Sequence, residues 1–317
     1  MTTLWTPRAL ALPRPEFPRV WDNTMRTALV ECPQKFAFEH LYHFRPFRRN
    51  VNLHAGAAWA TGLEASRRAY YCNGASTSQA LTIGLNALVT AYGDFEPPAK
   101  SPKTRERMAD AFIYFFQRYP LDEDPIQPFI GAHGPMIEFS FILPLGDDLL
   151  HPVTGEPILY SGRADMVATY AGACTIYDDK TTTSLGENWG KQWDMRAQFS
   201  GYSWAAQQYS IPAKQIVARG MAILKTDLDT AVAISYRDTW RTDRWLHQIK
   251  RDIRRTVGLW KEGYWDLAES DACGSYGGCI FRRTCASPDP LPWLKVDFVR
   301  RAWDPVNRIE VDMEPLP

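Results

Sequence analysis

The chain has no formal net charge: thirty-six Lys and Arg side chains stand against thirty-six Asp and Glu across 317 residues. The field of the whole molecule therefore gives no hint of a polyanionic partner, and any nucleic-acid footprint has to be a local patch. Long apolar runs are missing too. Stretches such as Ala111 to Phe116 fall far short of the roughly 20 residues that cross a bilayer, so no membrane span is expected. The first twenty residues hold Arg8, Arg14, Arg19 and four prolines with no continuous apolar segment, which does not read as a secretory signal. A cytosolic location follows as the expectation. No internal repeat is visible, which excludes solenoids and propellers. Cysteine is scarce, at six residues, and a reducing cytosol makes a disulfide framework an unsuitable use for them.

What is present is an ordinary globular composition, 45% apolar and 23% charged, enough for one large domain or two small ones with a real core. A Pro-rich leader (Pro7, Pro13, Pro15, Pro18) ends at Asp22-Asn23-Thr24, where Asn23 or Thr24 can cap a helix running toward Leu41 and interrupted at Cys32-Pro33. Apolar residues at helical spacing predict further helices over 53–71, 80–92 and 104–119, the first stopped by Asn73-Gly74. From Pro135 the period becomes extended. Strands are predicted over 136–145, 158–170 and 174–182, then a helix over 194–209, strands over 215–225 and 231–236, and a basic helix over 241–262. That order predicts an α/β sheet. The divisions expected are 1–50 as leader and first helix, 51–134 as a helical region, 135–265 as the α/β core, and 266–317 as a cysteine-bearing clasp with a Pro-rich tail.

The turn at Ala171-Gly172 fixes a register for the hairpin between the second and third strands. If Tyr170 faces Ala173, then Asp165 faces Asp178 on one side of the sheet, with Cβ atoms about 5 Å apart. Lys180, two residues on, projects from the same face. Because Ala is a poor residue for a tight turn, a looser loop would slip the register, and the argument is conditional on it. Two carboxylates so close repel unless a cation neutralises them, and two carboxylates beside an ammonium approach what a hard divalent cation such as Mg²⁺ needs. An Asp-x-Lys triplet alone arises by chance about once in a chain of this size, and surface hairpins often carry charge pairs.

The ordered set is more specific: Glu138 in the first strand, Gly162-Arg163-Ala164-Asp165 in the second, Asp178-Asp179-Lys180-Thr181-Thr182 in the third, and Gln198 and Tyr202 four apart on one face of the next helix. Together these resemble the PD-(D/E)XK nuclease superfamily, in its RecB/AddB-like branch, over residues from about Trp21 to Cys285. The resemblance implies a restriction-endonuclease-like mixed β-sheet flanked by helices, with a helical insert. It implies a metal-dependent DNA exonuclease acting on single strands or duplex ends and leaving 5′-phosphate and 3′-hydroxyl ends. Asp165 and Asp178 match the family's Mg²⁺ or Mn²⁺ ligands, Lys180 the lysine that orients or deprotonates the attacking water, and Gln198 and Tyr202 the helix motif that supports the site. Glu64 resembles the acid following the first-helix motif, a further metal ligand or supporting residue; Glu138 is a candidate for the same role. The branch usually carries a metal-binding histidine four residues before that glutamate, where this chain has Ala60, and His54 lies about one and a half turns too early to replace it.

Three cysteines, Cys273, Cys279 and Cys285, recur every six residues, with Gly274, Gly277 and Gly278 letting the chain curl. With Cys32 in Cys32-Pro33-Gln34-Lys35-Phe36 they resemble the four-cysteine iron-sulfur members of the same branch, in a spacing like that of phage-type relatives. The resemblance implies a [4Fe-4S] clasp joining distant parts of the chain. Four thiolates also suit Zn²⁺, although zinc favours closer pairs. Cys72 and Cys174 fit buried thiols without a ligand. Phage or mobile-element DNA recombination and repair in a bacterial host cytosol follows from the same resemblance, with DNA as partner and recombination or single-strand-binding proteins as candidate protein partners. A CRISPR-adaptation-like or endonucleolytic enzyme, and an inactive DNA-binding subunit, are the competing readings. Clusters at Arg45, Arg48 and Arg49 and along 241–255 could follow phosphates or be solvated helix faces, and Trp189, Trp193 and Trp204 could stack on bases or fill the core.

Overall fold

A computed structural model describes residues 12–274 and 278–315, so Pro7, Arg8 and Gly277 lie outside the described residues. The chain divides into two compact units, one of residues 1–48, 141–162 and 244–317, the other of residues 49–140 and 163–243. No helix among the described residues is long and apolar enough to cross a membrane.

The second unit is a mixed sheet with flanking helices. Its strands are β1 (Ile137–Pro144), β2 (Leu159–Tyr170), β3 (Ala173–Thr182), β4 (Gln215–Ile223) and β5 (Leu228–Tyr236), of which β1 and β2 extend beyond the unit at one end. β2, β3, β4 and β5 lie side by side, with β1 and the short strand Gln127–Pro128 also pairing to β2. β3 and β4 run parallel, whereas β2–β3 and β4–β5 are antiparallel. A parallel pair needs a long crossover, and here it contains the short helix Asn188–Lys191 and a 12-residue helix. β4 is buried along its whole length, as a strand covered on both faces must be.

Three helices form an apolar layer: α1 (Val51–Arg67), α2 (Thr77–Tyr92) and α3 (Arg105–Arg118). α2 starts in a capping box in which Ser76 and Gln79 satisfy each other's backbone amides, and Thr104 caps α3. Trp59, Leu63, Leu88, Phe112 and Phe115 pack with Met221 and Ile223 of β4, so the layer's core is continuous with the sheet. α1 and α2 cross at Gly62 and Gly84, where a methyl on Gly84 would lie 1.9 Å from Ser66 Oγ and 2.6 Å from the Gly62 carbonyl oxygen. The later helix, α4 (Ala197–Gln208), buries Phe199, Tyr202 and Trp204.

In the first unit, Asp22 rather than Asn23 or Thr24 caps the helix Asn23–Glu31: its Oδ1 accepts from the Met25 amide at 2.8 Å while Oδ2 accepts from Trp303 Nε1 at 2.9 Å. That second contact joins residues 281 apart in sequence, which no local pattern reveals. The C-terminal region is also more than a Pro-rich tail. Prolines at its first turn open the helix Leu291–Asp297, and Phe298–Asp304 then pairs with both Ile309–Asp312 and Phe44–Pro46. Phe38, Phe44, Phe281, Leu294 and Phe298 form the core of this region.

The basic helix is Thr239–Glu262. Within the first unit Lys250 and Arg254 both meet Asp148, and Arg255 meets Asp266 at 2.8 Å; within the second, Arg241 meets Asp194 at 2.9 Å. Much of its charge is thus spent on acids from elsewhere in the chain, which weakens it as a phosphate track.

Candidate active site

The β2–β3 hairpin turns through Ala171 and Gly172, both with positive φ (50° and 77°), the geometry that matches strand twist in a two-residue turn. Ala171 accepts the left-handed conformation despite its Cβ, so the tight register forms. Tyr170 pairs with Ala173 and the ladder continues to Met166 opposite Tyr177. It stops there. At the next position, where Asp165 and Asp178 would face each other, the Asp179 amide instead donates to Asp165 Oδ2 at 2.7 Å. β3 goes on alone beside β4, with Asp178 opposite Ala218 and Lys180 opposite Gly220. The two aspartates therefore stand where the pairing of their strands ends.

Asp178 is 1% exposed and forms an ion pair with Lys180. Withdrawal from water and then the Asp178 charge push the Asp165 carboxyl up to about 6, against the pull of Lys180. Burial favours a neutral Lys180 amine, but Asp178 and Asp165 outweigh it and hold the ammonium charged. Glu138 belongs to the same acidic group. It sits in β1 with φ 55°, an unusual backbone for a side chain with a Cβ, and meets Arg163 Nε at 2.8 Å. Burial first, then Asp165, pushes Glu138 up to about 8, with Glu64 adding to the repulsion. Glu64 itself pairs with Arg68 at 2.8 Å, one turn along the same helical surface.

On α4, the Gln198 amide nitrogen donates to the Tyr202 hydroxyl at 2.8 Å, and Tyr202 lies within electrostatic reach of Lys180. Lys180 also stands 6.0 Å over the Trp193 ring. Trp189, Trp193 and Trp204 are 8%, 7% and 6% exposed, so they are core residues rather than an open stacking platform. His54 does not approach this group: its Nε2 bonds the Tyr92 carbonyl at 2.8 Å and its ring stacks on Phe95. Asp165, Asp178, Lys180, Glu138, Glu64, Gln198 and Tyr202 are thus linked by contact or field within the second unit.

Sequence reading assigned no role to the residues behind them. Arg67 Nη2 lies 2.6 Å from Asp179 Oδ2, and the Tyr177 hydroxyl donates to Asp179 Oδ1 at 2.6 Å. Next to this pair, Arg219 forms a bidentate ion pair with Asp124 at 2.6 and 2.9 Å. The available signal was strand alternation, which turns Asp179 away from Asp178 and Lys180 into the sheet's other face, where a carboxylate requires a partner.

Among the described residues no three His, Cys, Asp or Glu side chains are already placed around a single ion position. The donor chemistry nevertheless fits a hard divalent cation, because Asp165 and Glu138 are partly withdrawn from water and strained toward protonation by neighbouring carboxylates.

A separate site lies in the first unit. Cys32, Cys273, Cys279 and Cys285 all line one cavity of about 190 Å³, together with Glu31, Lys35 and Phe281. The Cys279 amide bonds the Cys273 carbonyl at 3.1 Å and the Cys285 amide the Phe281 carbonyl at 2.8 Å, so the late chain wraps the cavity. Burial, then the fields of Cys32, Cys279 and Cys273, push the Cys285 thiol up to about 12. Cys72 and Cys174 are not part of this lining.

The family model of the PD-(D/E)XK nuclease superfamily matches residues 26–286. No curated relative matches the chain. Among solved structures, a Eubacterium rectale protein provisionally named an exonuclease is similar at 12% identity and a TM-score of 0.47, covering 85% of this chain and 94% of its own. The protein SSO0001 is similar at 14% identity and a TM-score of 0.31, covering 84% of this chain and 95% of its own.

Proposed function

The chain belongs to the PD-(D/E)XK nuclease superfamily, and from that premise we propose that it is a Mg²⁺- or Mn²⁺-dependent DNA exonuclease of the RecB/AddB-like branch, acting on single strands or duplex ends. The observation that carries this reading is the end of the β2–β3 ladder, where Asp165, Asp178 and the Lys180 ammonium gather. Asp165 and Asp178 would hold the cation, with Glu138 and Glu64 as further acidic donors. A divalent cation bound there would lower the pKa of coordinated water and offset charge on the phosphate oxygens.

The protein's own groups supply the rest. Lys180, kept protonated by Asp178 and Asp165, presents a positive group beside the nucleophile and the charge that develops on phosphate. Tyr202, held by Gln198, lies near that ammonium. Arg163 contacts Glu138 and is partly exposed, so an incoming phosphate can compete for it.

For the second site, four thiols around one cavity support a [4Fe-4S] cluster, with Zn²⁺ as the alternative occupant. Its role would be structural. A place in phage or mobile-element recombination and repair completes the reading, which rests on family resemblance.

The test is incubation of purified protein with end-labelled linear and circular DNA in Mn²⁺, beside Asp178→Ala and Lys180→Ala. Degradation of linear DNA alone, lost in both variants, is expected; cutting of circles would mean an endonuclease. Binding without cleavage would favour an inactive DNA-binding subunit, for which Ala60 at the usual histidine position, with His54 engaged elsewhere, is the specific observation. A brown protein whose visible absorption disappears in Cys279→Ser is expected for the cluster, and stoichiometric zinc in anaerobic preparations would replace it.

A further inference from the structure

We propose that Asp179, anchored by Arg67, is a positioning residue for the nuclease site, fixing the backbone that carries Asp178 and Lys180. The inference rests on the nuclease reading above and concerns residues to which neither the family motif nor that reading gives a role.

Asp179 sits between the two residues it would position, and its side chain leaves the strand on the opposite face. There it is tied twice, to Arg67 at 2.6 Å and to the Tyr177 hydroxyl at 2.6 Å, with Arg67 also reaching that hydroxyl at 3.3 Å. Its amide is tied a third time, to Asp165 Oδ2 at 2.7 Å. One residue thus links α1, β3 and the acid of β2.

The need for such an anchor follows from the ladder. Beyond Met166 and Tyr177, β3 has no register partner on β2 and its backbone ladder continues only with β4, so side-chain ties from Asp165 and from Lys103, which bonds the Thr181 carbonyl at 3.3 Å and hydroxyl at 3.0 Å, stand in for the missing ladder. A strand paired on one edge can rotate about its remaining hydrogen bonds, and a small rotation of the peptides around Asp179 would swing Asp178 and Lys180 together. Arg67 opposes that rotation from the last residue of α1, where the helix runs on into the π-helical turn Arg68–Cys72, three residues beyond Glu64 on the same helical surface.

Stability alone does not explain the pair. The Arg67 and Asp179 side chains are 6% and 2% exposed, and a buried ion pair is on average no more stabilising than apolar side chains of equal volume. Geometry is what an apolar pair would fail to reproduce, because the Arg67 ion pair and the Tyr177 hydrogen bond together hold the Asp179 carboxylate at both of its oxygens.

The test compares Asp179→Asn, the double variant Arg67→Met/Asp179→Leu and Tyr177→Phe with the parent. Each is followed by thermal melting, by calorimetric titration with Mn²⁺ alone, and by kcat and KM on an end-labelled single-stranded oligonucleotide. The double variant restores buried neutrality and is expected to fold, yet to bind Mn²⁺ about tenfold more weakly and lose about 10²-fold in kcat, the scale of an ångström-sized misplacement, with KM within about twofold. A folded double variant with parental Mn²⁺ affinity and kcat would overturn the proposal. Should it not fold, Tyr177→Phe decides, since it removes one hydroxyl: a Mn²⁺ affinity about threefold weaker supports the role, on the scale of one lost hydrogen bond, and an unchanged one sinks it. If the parent degrades no DNA, the nuclease reading fails by itself. The Mn²⁺ titrations, with Asp178→Ala as the reference for a lost ligand, still judge Asp179.

Discussion

Gly84→Ala should destabilise the protein and disturb its candidate active site, although alanine is the better helix former. In the helix interior the exchange is worth about 1 kcal/mol in favour of alanine. Against that, the new methyl would lie 1.9 Å from Ser66 Oγ, 2.6 Å from the Gly62 carbonyl oxygen and 2.9 Å from the Phe112 ring. The serine hydroxyl, which donates to the Ala80 carbonyl at 2.9 Å, would have to give up that bond to move. The backbone carbonyl cannot rotate away at all, so α1 and α2 must separate. Overpacking of this kind costs about 1–3 kcal/mol, and three contacts under 3.0 Å place it at the upper end. The net expectation is a loss of about 2 kcal/mol, or a fall in Tm of about 4–8 °C for a unit of this size. Because Gly62 and Ser66 bracket Glu64 and Ser66 immediately precedes Arg67, nuclease activity should drop further than the melt alone explains. Gly258→Ala is the internal control: it also lies in a helix, but nothing stands within 4 Å of its added methyl, and it should gain about 0.5–1 kcal/mol. Urea unfolding followed by circular dichroism measures both. A Gly84→Ala protein as stable as the parent would refute the close crossing of α1 and α2.

Three further outcomes are expected. Gly220→Ala, opposite Lys180 in the ladder, drives a methyl to within 2.2 Å of the Trp189 ring and should lower stability by about 1–3 kcal/mol and reduce cleavage, measured by melting and by oligonucleotide degradation. Arg219→Met leaves the Asp124 carboxylate without its bidentate partner and should cost about 3–5 kcal/mol by urea titration, whereas pairing it with Asp124→Leu should recover most of that loss. His43 is pushed down to about 4 by burial and then by Arg300 and Arg45, so an unfolded chain takes up a proton on this residue before the folded one does. Stability contributed by neutral His43 is therefore present above pH 6.5 and lost as pH falls toward 4; His43→Asn, which tolerates the positive φ of 64°, should flatten that part of the pH–stability curve relative to the parent.

How much of this was legible in the sequence depended on the distance over which each feature is encoded. The hairpin register follows from local alternation and a two-residue turn, so the placing of Asp165 near Asp178 could be worked out from spacing, and the helices over 77–92 and 105–118 from apolar period and caps. The stopping of the ladder at Met166 could not, because it depends on a side-chain acceptor displacing a backbone one. Arg67 and Asp179 are 112 residues apart, and nothing in either neighbourhood names the other. The same blindness affects charge: a run of arginines between 241 and 255 looks like a basic face until Asp148, Asp194 and Asp266 are folded against it. The C-terminal strands were hidden for a different reason, since prolines that usually signal loops here start a helix before the strands begin.

The division of the chain has a consequence for biosynthesis. The first unit is gathered from 1–48, 141–162 and 244–317, so its earliest segment leaves the ribosome long before the segments it must join. Cys32 precedes Cys285 by roughly 250 residues, an interval of roughly 10–50 s at ordinary translation speed. Throughout it the Cys32 thiol has no complete cavity to enter, while the second unit's residues have all been synthesised by position 243 and can fold once they clear the ribosome. Nascent chains should therefore pass through a stage with a complete second unit and a first unit still missing its last segment, in which the Cys32 thiol is open to oxidants.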